Sequence, residues 1–397
     1  MADSKKYIGI YNTLEDVQDA LDNGQLSNPY VAKTMDNGQL DYNSLSPVDY
    51  SQYWCTYYPI DAKIWVKTKD SWTYNTTEYA GGDGKIPKAD FPKFYGAGSG
   101  IYNYNELASN VVKFKYFQFD STSATTDFTY AWRNCQFLTS FPLIDTSKGT
   151  TFESTWEGCS SLTTFPMLNL SSGTKITSTW KDCSKLTEFP LLDVSKGTNF
   201  GYAWKGCSKL TEFPPLNMGK GTNFSNTWED CSSLKEFPMV DVHSGTDFSY
   251  AWMGCSSLKE FPALDLSNGT EFQSTWNGCS SLKEFPALDL SKGVNFTNAW
   301  LDCSAMTTMP ALDLSAGTNF SWPFGGCNNL TTLGGFGAIK ESIDLSPCSK
   351  LTVDSLMNVI TQAATVTDKT MTLGSTNLAK LSDEQKSVAT SKGWTLA

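Results

Sequence analysis

The sequence predicts an α/β repeat solenoid of 24-residue units over residues 126–338. A small α+β module (1–45) and an aromatic-rich β domain (46–125) precede it, and an α/β cap (339–397) follows. Three observations carry this reading. Nine cysteines fall at 135, 159, 183, 207, 231, 255, 279, 303 and 327, eight consecutive intervals of 24 residues. Tryptophan keeps the same interval at 132, 156, 180, 204, 228, 252, 276 and 300, with Phe324 in the ninth place. Leucine does so from Leu162 to Leu282, and Phe-Pro pairs from Phe141-Pro142 to Phe285-Pro286. A fixed period in the twenties marks units that bury their apolar faces only against their neighbours.

The N-terminal module reads as a strand over Tyr7–Tyr11, a helix over Leu14–Leu21 capped by Thr13 and ended by Asn23-Gly24, and a hairpin. The hairpin pairs Tyr30–Thr34 with Gln39–Tyr42 around Asp36-Asn37-Gly38, a strong turn signal. The next segment is dense in Phe, Tyr and Trp, which alternate with polar residues in Ala62–Lys67 and Val112–Phe119. That pattern predicts strands, with turns at Gly81–Gly84 and Gly96–Gly100.

Within one repeat, Phe296, Trp300 and Cys303 stand at i, i+4 and i+7, the stripe of a short helix. Thr222 and Thr270 sit where the N-cap of such a helix belongs. Two residues after the tryptophan only Gly, Asp or Asn occurs (Asn134, Gly158, Asp182, Gly206, Asp230, Gly254, Gly278, Asp302), the residues that tolerate a left-handed backbone, so the helix should end there. Leu282-x-x-Phe285-x-x-Leu288-x-Leu290 has the spacing of a leucine-rich repeat, with Leu288–Leu290 as the expected strand. Strands stacked about 4.8 Å apart would make the repeat face roughly 40 Å long.

The unit, with Cys-Ser-Ser-Leu-x-x-Phe followed by Leu-Asp-Leu-Ser, resembles the BspA-like leucine-rich repeats of bacterial surface proteins and of phages of gut bacteria. It departs from them in using Trp where Phe is common and in placing Pro after Phe. The resemblance implies the repeat fold and a role among adhesins and fibre-like proteins.

After residue 338 the period breaks. Val353–Ala364 and Asp383–Lys392 read as helices, the second opened by a Ser382/Gln385 capping box and closed by Gly393. Lys369–Leu373 and Trp394–Leu396 read as strands, and Cys348 as the mark of a degenerate last repeat. The segment is expected to cover the last apolar face.

The chain has 397 residues, 30 Lys+Arg against 41 Asp+Glu and one histidine. That balance argues against nucleic acid or an anionic membrane as partner. No apolar run is long enough for membrane insertion. Catalytic and metal-ligating residues are not expected, and no cofactor. His243 stands where other units carry Ser195, Ser267 and Ser291, with no fixed acidic partner visible in the sequence. The cysteine column reads as small buried hydrophobes beside Trp and Leu, since zinc sites use paired Cys-x-x-Cys.

Two columns are candidate partner faces. Glu188, Glu212, Glu236, Glu260 and Glu284 form one, with Lys235, Lys259 and Lys283 beside the last three. Leu143, Met167, Leu191, Pro215 and Met239, continuing as Ala263, Ala287 and Ala311, form the other; it points outward if Leu288 and Leu290 point inward, and a buried register is equally open. An Asp/Asn column from Asp145 to Asp313 should bond backbone along the strand or turn. Trp54, Trp65 and Trp72 are candidate sugar contacts, with core packing as the alternative.

The expected function is that of a non-enzymatic structural and binding protein. The N-terminus, Met1 to Tyr11, has no apolar run of signal-peptide length. A cell-surface protein needs an export signal and a virion protein does not. The expectation is therefore a phage virion component (a head or tail fibre, or a decoration protein) that joins other virion proteins through residues 1–45 and meets a bacterial surface protein or glycan through its repeats. A bacterial cell-surface adhesin is the alternative, and a glycan-degrading enzyme the least favoured. Homo-oligomerisation is left open.

Overall fold

The computed structural model describes residues 126–397, apart from 135, 137, 139, 140 and 142, and before them six short strands. β1 (Tyr30–Thr34) and β2 (Leu40–Pro47) pair antiparallel, with Thr34 opposite Leu40, as Asp36-Asn37-Gly38 requires. β3 (Tyr53–Cys55) pairs with β6 (Ile86–Pro87), and β4 (Ile64–Lys67) with β5 (Trp72–Asn75), both antiparallel. The strand expected at 7–11, the helix at 14–21 and the alternating stretch at 112–119 lie outside the described residues.

From residue 126 the chain winds into 24-residue coils joined by parallel bridges. One column of bridges runs from Asp127–Thr151 to Asn295–Asn319. A second, at Glu236–Glu260 and Glu284–Thr308, passes into β7 (Thr308–Met309) and β8 (Thr332–Leu333). In the later coils the bridged position of this second column is the Glu-Phe dipeptide or its Thr-Met and Thr-Leu counterparts. Leu288–Leu290, the expected strand, lies outside the named strands, and both leucines are buried core residues.

The short helix does not form. Phe200 to Cys207 is instead a chain of turns: the amides of Ala203, Lys205 and Cys207 donate to the carbonyls of Phe200, Tyr202 and Trp204 at 3.0, 3.2 and 3.1 Å. The intervening amides leave the coil. Those of Phe200, Tyr202, Trp204 and Gly206 reach the carbonyls of Asn223, Ser225, Thr227 and Glu229 in the next coil at 2.7–2.9 Å. Two left-handed residues per coil, Tyr202 (φ 61) and Gly206 (φ 74), occupy the third position of their turns, where a type II turn needs positive φ. The helical spacing of Phe, Trp and Cys arises because successive turns bring the chain back to the same inward side.

The Gly/Asp/Asn column is left-handed in all nine coils, Asn134 to Gly326, although it ends a turn and no helix. A second left-handed column (Tyr130, Ser154, Ser178, Tyr202, Asn226, Tyr250, Ser274, Asn298, Trp322) escaped the sequence reading, since Tyr, Ser and Trp do not announce that conformation. The threonines expected as N-caps form a ladder instead. Thr222 donates through both its amide (2.9 Å) and its hydroxyl (3.4 Å) to the carbonyl of Thr198.

The core is a set of columns along the stack. Indoles of adjacent coils lie with centroids 5.2 to 6.2 Å apart and planes within 15°. Perpendicular phenyl rings wedge between them, as Phe213 does against Trp204 (4.9 Å) and Trp228 (5.5 Å). Aromatic pairs of this kind contribute about 0.5–1.5 kcal/mol each beyond the area they bury. That packing has an opposing term, because the indole N–H groups of Trp156 through Trp300 are buried without a hydrogen-bond partner. The cysteines are buried as expected, and they also donate. From Cys159 to Cys327 each Sγ reaches the tryptophan carbonyl of the preceding coil, as Cys207 does to Trp180 at 3.3 Å.

Cys348 and Leu351 repeat the Cys-x-x-Leu turn, with Leu351 N donating to Cys348 O at 3.2 Å, and so close a shortened coil. Beyond β9 (Ile343–Asp344) come α1 (Val353–Gln362), β10 (Lys369–Thr372), α2 (Gly374–Leu378), α3 (Asp383–Ser391) and β11 (Trp394–Leu396). The three strands form a parallel sheet in the order β11-β10-β9. The Ser382/Gln385 capping box opens α3 as predicted. One stripe of α1 finishes the ladder of the stack. Ser355 Oγ accepts from Leu333 N (3.0 Å) and donates to Thr331 O (3.1 Å), and Asn358 Nδ2 and Gln362 Nε2 donate to Leu333 O and Gly334 O.

Candidate functional site

Alternation along each coil's strand side sets what faces out. With Phe189, Leu192 and Val194 in the core, the chain must turn Glu188, Leu191 and Asp193 to solvent. Repetition turns these positions into parallel columns. The apolar column is outward in every coil: Leu143 is 75% exposed, Met167 61%, Leu191 57% and Met239 61%, and Pro215, Ala263, Ala287 and Ala311 are exposed too. The alternative register, with this column buried, is excluded.

Acidic columns flank the apolar stripe. Glu188, Glu212, Glu236, Glu260 and Glu284 are all exposed, and none makes an ion pair among the described residues. On the other side the Asp/Asn column bonds backbone as expected: Asp193 Oδ1 accepts from Ser195 N (3.1 Å) and Ser195 Oγ (2.7 Å). Those hydroxyl and amide donors hold the carboxyls of Asp145, Asp193, Asp265 and Asp289 below their ordinary value.

The face also has a direction. Toward residue 143 the stripe is Leu, Met or Pro, and the slot before each Glu column position is Thr163, Thr187 or Thr211. Toward residue 311 the stripe shrinks to Ala and the slot becomes Lys235, Lys259 and Lys283. The Glu column itself starts only at Glu188, after Thr164, so the early coils are the more apolar and the later coils are small and mixed in charge.

Nothing in this arrangement resembles a catalytic pair. His243 does have an acidic partner that the sequence reading lacked: its Nδ1 lies 2.6 Å from Asp241 Oδ1, which raises the imidazole's pKa. Both are exposed at the surface. Among the described residues no cluster of His, Cys, Asp and Glu has the makings of a metal site, and no helix is long and apolar enough to cross a membrane. Trp54, Trp65 and Trp72 fall on β3, β4 and β5, with Trp65 opposite Tyr74 and Trp72 opposite Lys67; their side chains lie outside the described residues.

No family model matches the chain, and no curated protein does. Among solved structures it is similar to a leucine-rich repeat protein from Bacteroides ovatus ATCC 8483, at 13% identity over 79% of this chain and 88% of that one, with a TM-score of 0.31. It is also similar to an internalin from Listeria monocytogenes (13%, 66% and 80%, TM-score 0.23). A third is the functional domain of InlJ from Listeria monocytogenes, described as including a cysteine ladder (13%, 60% and 69%, TM-score 0.17). Scores this low carry no weight for the fold, which the coil-to-coil hydrogen bonds establish unaided.

Proposed function

We propose that this chain is a non-enzymatic binding protein of the BspA-like leucine-rich-repeat type, and that the apolar stripe from Leu143 to Met239 is its docking face for another protein. The observation that carries this is the stripe itself. Four large side chains are more than half exposed, in line, on a rigid stack. Contiguous exposed apolar surface of this kind marks interaction sites. The carboxylates on either side of Leu191 and Met239 select a partner with an apolar ridge edged by Lys or Arg.

The setting we propose is a phage particle that meets a bacterial surface. The repeat resemblance supports it, and so do eight buried, free thiols from Cys183 to Cys348 among the described residues. A ladder of unpaired thiols suits a protein that folds in a reducing cytoplasm, where virions assemble. Attachment through residues 1–45 belongs to the same proposal. A bacterial surface adhesin is the second setting, favoured by the same resemblance.

Two measurements test this. Mass spectrometry of purified virions should find the chain; absence from them would move the proposal to the cell surface. The purified chain should bind intact gut bacterial cells in a manner that weakens with added salt. Leu191→Ser with Met239→Ser should cut that binding by about tenfold, a loss of roughly 1.4 kcal/mol, with the unfolding midpoint unchanged. Equal binding by the double variant would remove the stripe from the account.

A further inference from the structure

We propose that the cleft at Trp322 binds a neutral hexopyranose unit of a glycan. Trp322 stands two residues off the tryptophan period and is 63% exposed, whereas Trp156 through Trp300 are wholly buried. It belongs to the second left-handed column (φ 52), and Pro323 follows with its own φ constrained. The indole lies beside Gly325, where a Cβ would meet its Cε3 at 3.6 Å. The ring is thus a plate set over a glycine, with much of its surface in water.

The plate lines an open cavity of about 390 Å³ between the last coil and strands β9 and β10. That is the lower end of the range for small-molecule sites, about 300–1,000 Å³. Three of the polar side chains that line it are each held by one atom and open at another. Asn319 Oδ1 accepts from Ser321 N (3.1 Å) and Oγ (3.0 Å), which leaves its amide nitrogen as a donor. Asp344 Oδ1 accepts from Ser346 N (2.8 Å), and its other oxygen makes no hydrogen bond among the described residues. Glu341 Oε2 pairs with Lys369 Nζ (2.6 Å), which leaves Oε1 as an acceptor.

A pyranose offers C–H groups on one face and hydroxyls around its rim. A flat aromatic takes the first and pre-oriented donors and acceptors take the second, with little ordering left to do on binding. Two carboxylates against one lysine make the cleft net negative, which selects against sialic and uronic acids. The site shares no residue with the stripe from Leu143 to Met239, so either can fail without the other.

The test is calorimetry and saturation-transfer NMR on the full chain. The ligands are glucose-, galactose- and mannose-terminated oligosaccharides, with sialyllactose and a glucuronide as anionic controls, all at millimolar concentration. At least one neutral ligand should bind and the anionic ones should not. Trp322→Asn should weaken binding by about tenfold or more. That variant keeps its fold, because Asn226 and Asn298 hold the same column at φ 58 and 54. Asp344→Asn, which retains the oxygen that accepts from Ser346, should weaken binding less. Tyr202→Asn, in the same column of a distant coil, should leave it unchanged. Failure of every neutral ligand, equal binding of anionic ones, or full affinity in Trp322→Asn would overturn the proposal.

Discussion

Gly206→Ala should destabilise this protein more than Gly278→Ala, although both glycines occupy the same place in their coils at φ 74 and 75. An alanine Cβ at that φ is strained by about 1–2 kcal/mol, and the stiffer unfolded chain returns about 0.4–1 kcal/mol. At Gly278 nothing more is added, since the nearest atoms to a Cβ are those of Gly254 at 3.6 Å. The net loss there is about 0.5–1 kcal/mol. At Gly206 the Cβ would fall well inside 3.0 Å of Asp182 Oδ1, with the Asp182 Cα at 3.4 Å. The carboxylate leans over the next coil's glycine, and turning this exposed group off its rotamer to relieve the overlap adds about 0.5–1.5 kcal/mol. Denaturant unfolding followed by tryptophan fluorescence reads the difference, with hydrogen exchange at residues 180–206 to localise it. Asp182→Gly in the Gly206→Ala background should recover most of the excess, a coupling of about 0.5–1.5 kcal/mol. Equal losses at the two glycines, or no recovery by Asp182→Gly, would refute the argument. The same contact explains why the column never places two Asp or Asn in adjacent coils: Asn134, Asp182, Asp230 and Asp302 each face a glycine at 158, 206, 254 and 326.

Two further outcomes follow from the polar groups. Burial, then the charge of Glu229, raises the carboxyl pKa of Asp230, so its ionised form opposes folding at neutral pH, and the penalty disappears as pH falls from the raised value to the ordinary 3.8. Asp230→Asn should therefore raise the unfolding midpoint at neutral pH and lose that advantage in acid. Asp193→Asn should act in the opposite sense, because the Ser195 hydroxyl and amide depress that carboxyl and its stabilisation is present above 3.8 and lost below it. Denaturation midpoints across pH that shift alike for both variants would contradict this. Ser355→Ala strands the buried Leu333 amide and removes a donor from Thr331 O. The expected cost is about 1–3 kcal/mol, seen as faster hydrogen exchange at Leu333 with the early coils unaffected.

The period was legible because a stack forces every coil to present the same residue type at the same place. Trp204, Cys207, Leu210 and Phe213 identify their columns by chemistry alone, and the capping box of Ser382 and Gln385 is local enough to read directly. The turn chain was not legible. Apolar residues at i, i+4 and i+7 fit a helix as well as consecutive turns, and only the amides of Phe200, Tyr202 and Trp204, which bond the next coil, separate the two. The strand was placed too late for a related reason. The Leu-x-Leu alternation at 288–290 is a burial pattern, whereas Glu284 bridges to Thr308 through backbone that side-chain identity does not report. The partner of His243 was within the sequence's reach, since an Asx turn brings residue 243 back onto Asp241.

The columns differ in how freely they vary, and that difference separates fold from function. The tryptophan, cysteine and leucine places hold one residue type through most coils, because a neighbour above and below constrains each ring, thiol or methyl. The outward places have no such constraint. The apolar stripe passes from Leu and Met to Ala, and the second left-handed column passes through Tyr, Ser and Asn to a single Trp. A left-handed place accepts Asn more readily than Trp, so a tryptophan there runs against backbone preference and against solvation together. Trp322 does both beside three half-anchored polar groups, while the stack beneath it would fold with Asn. A residue that costs stability in two ways, at a position where the fold has a milder choice, is best accounted for by what it touches outside the chain.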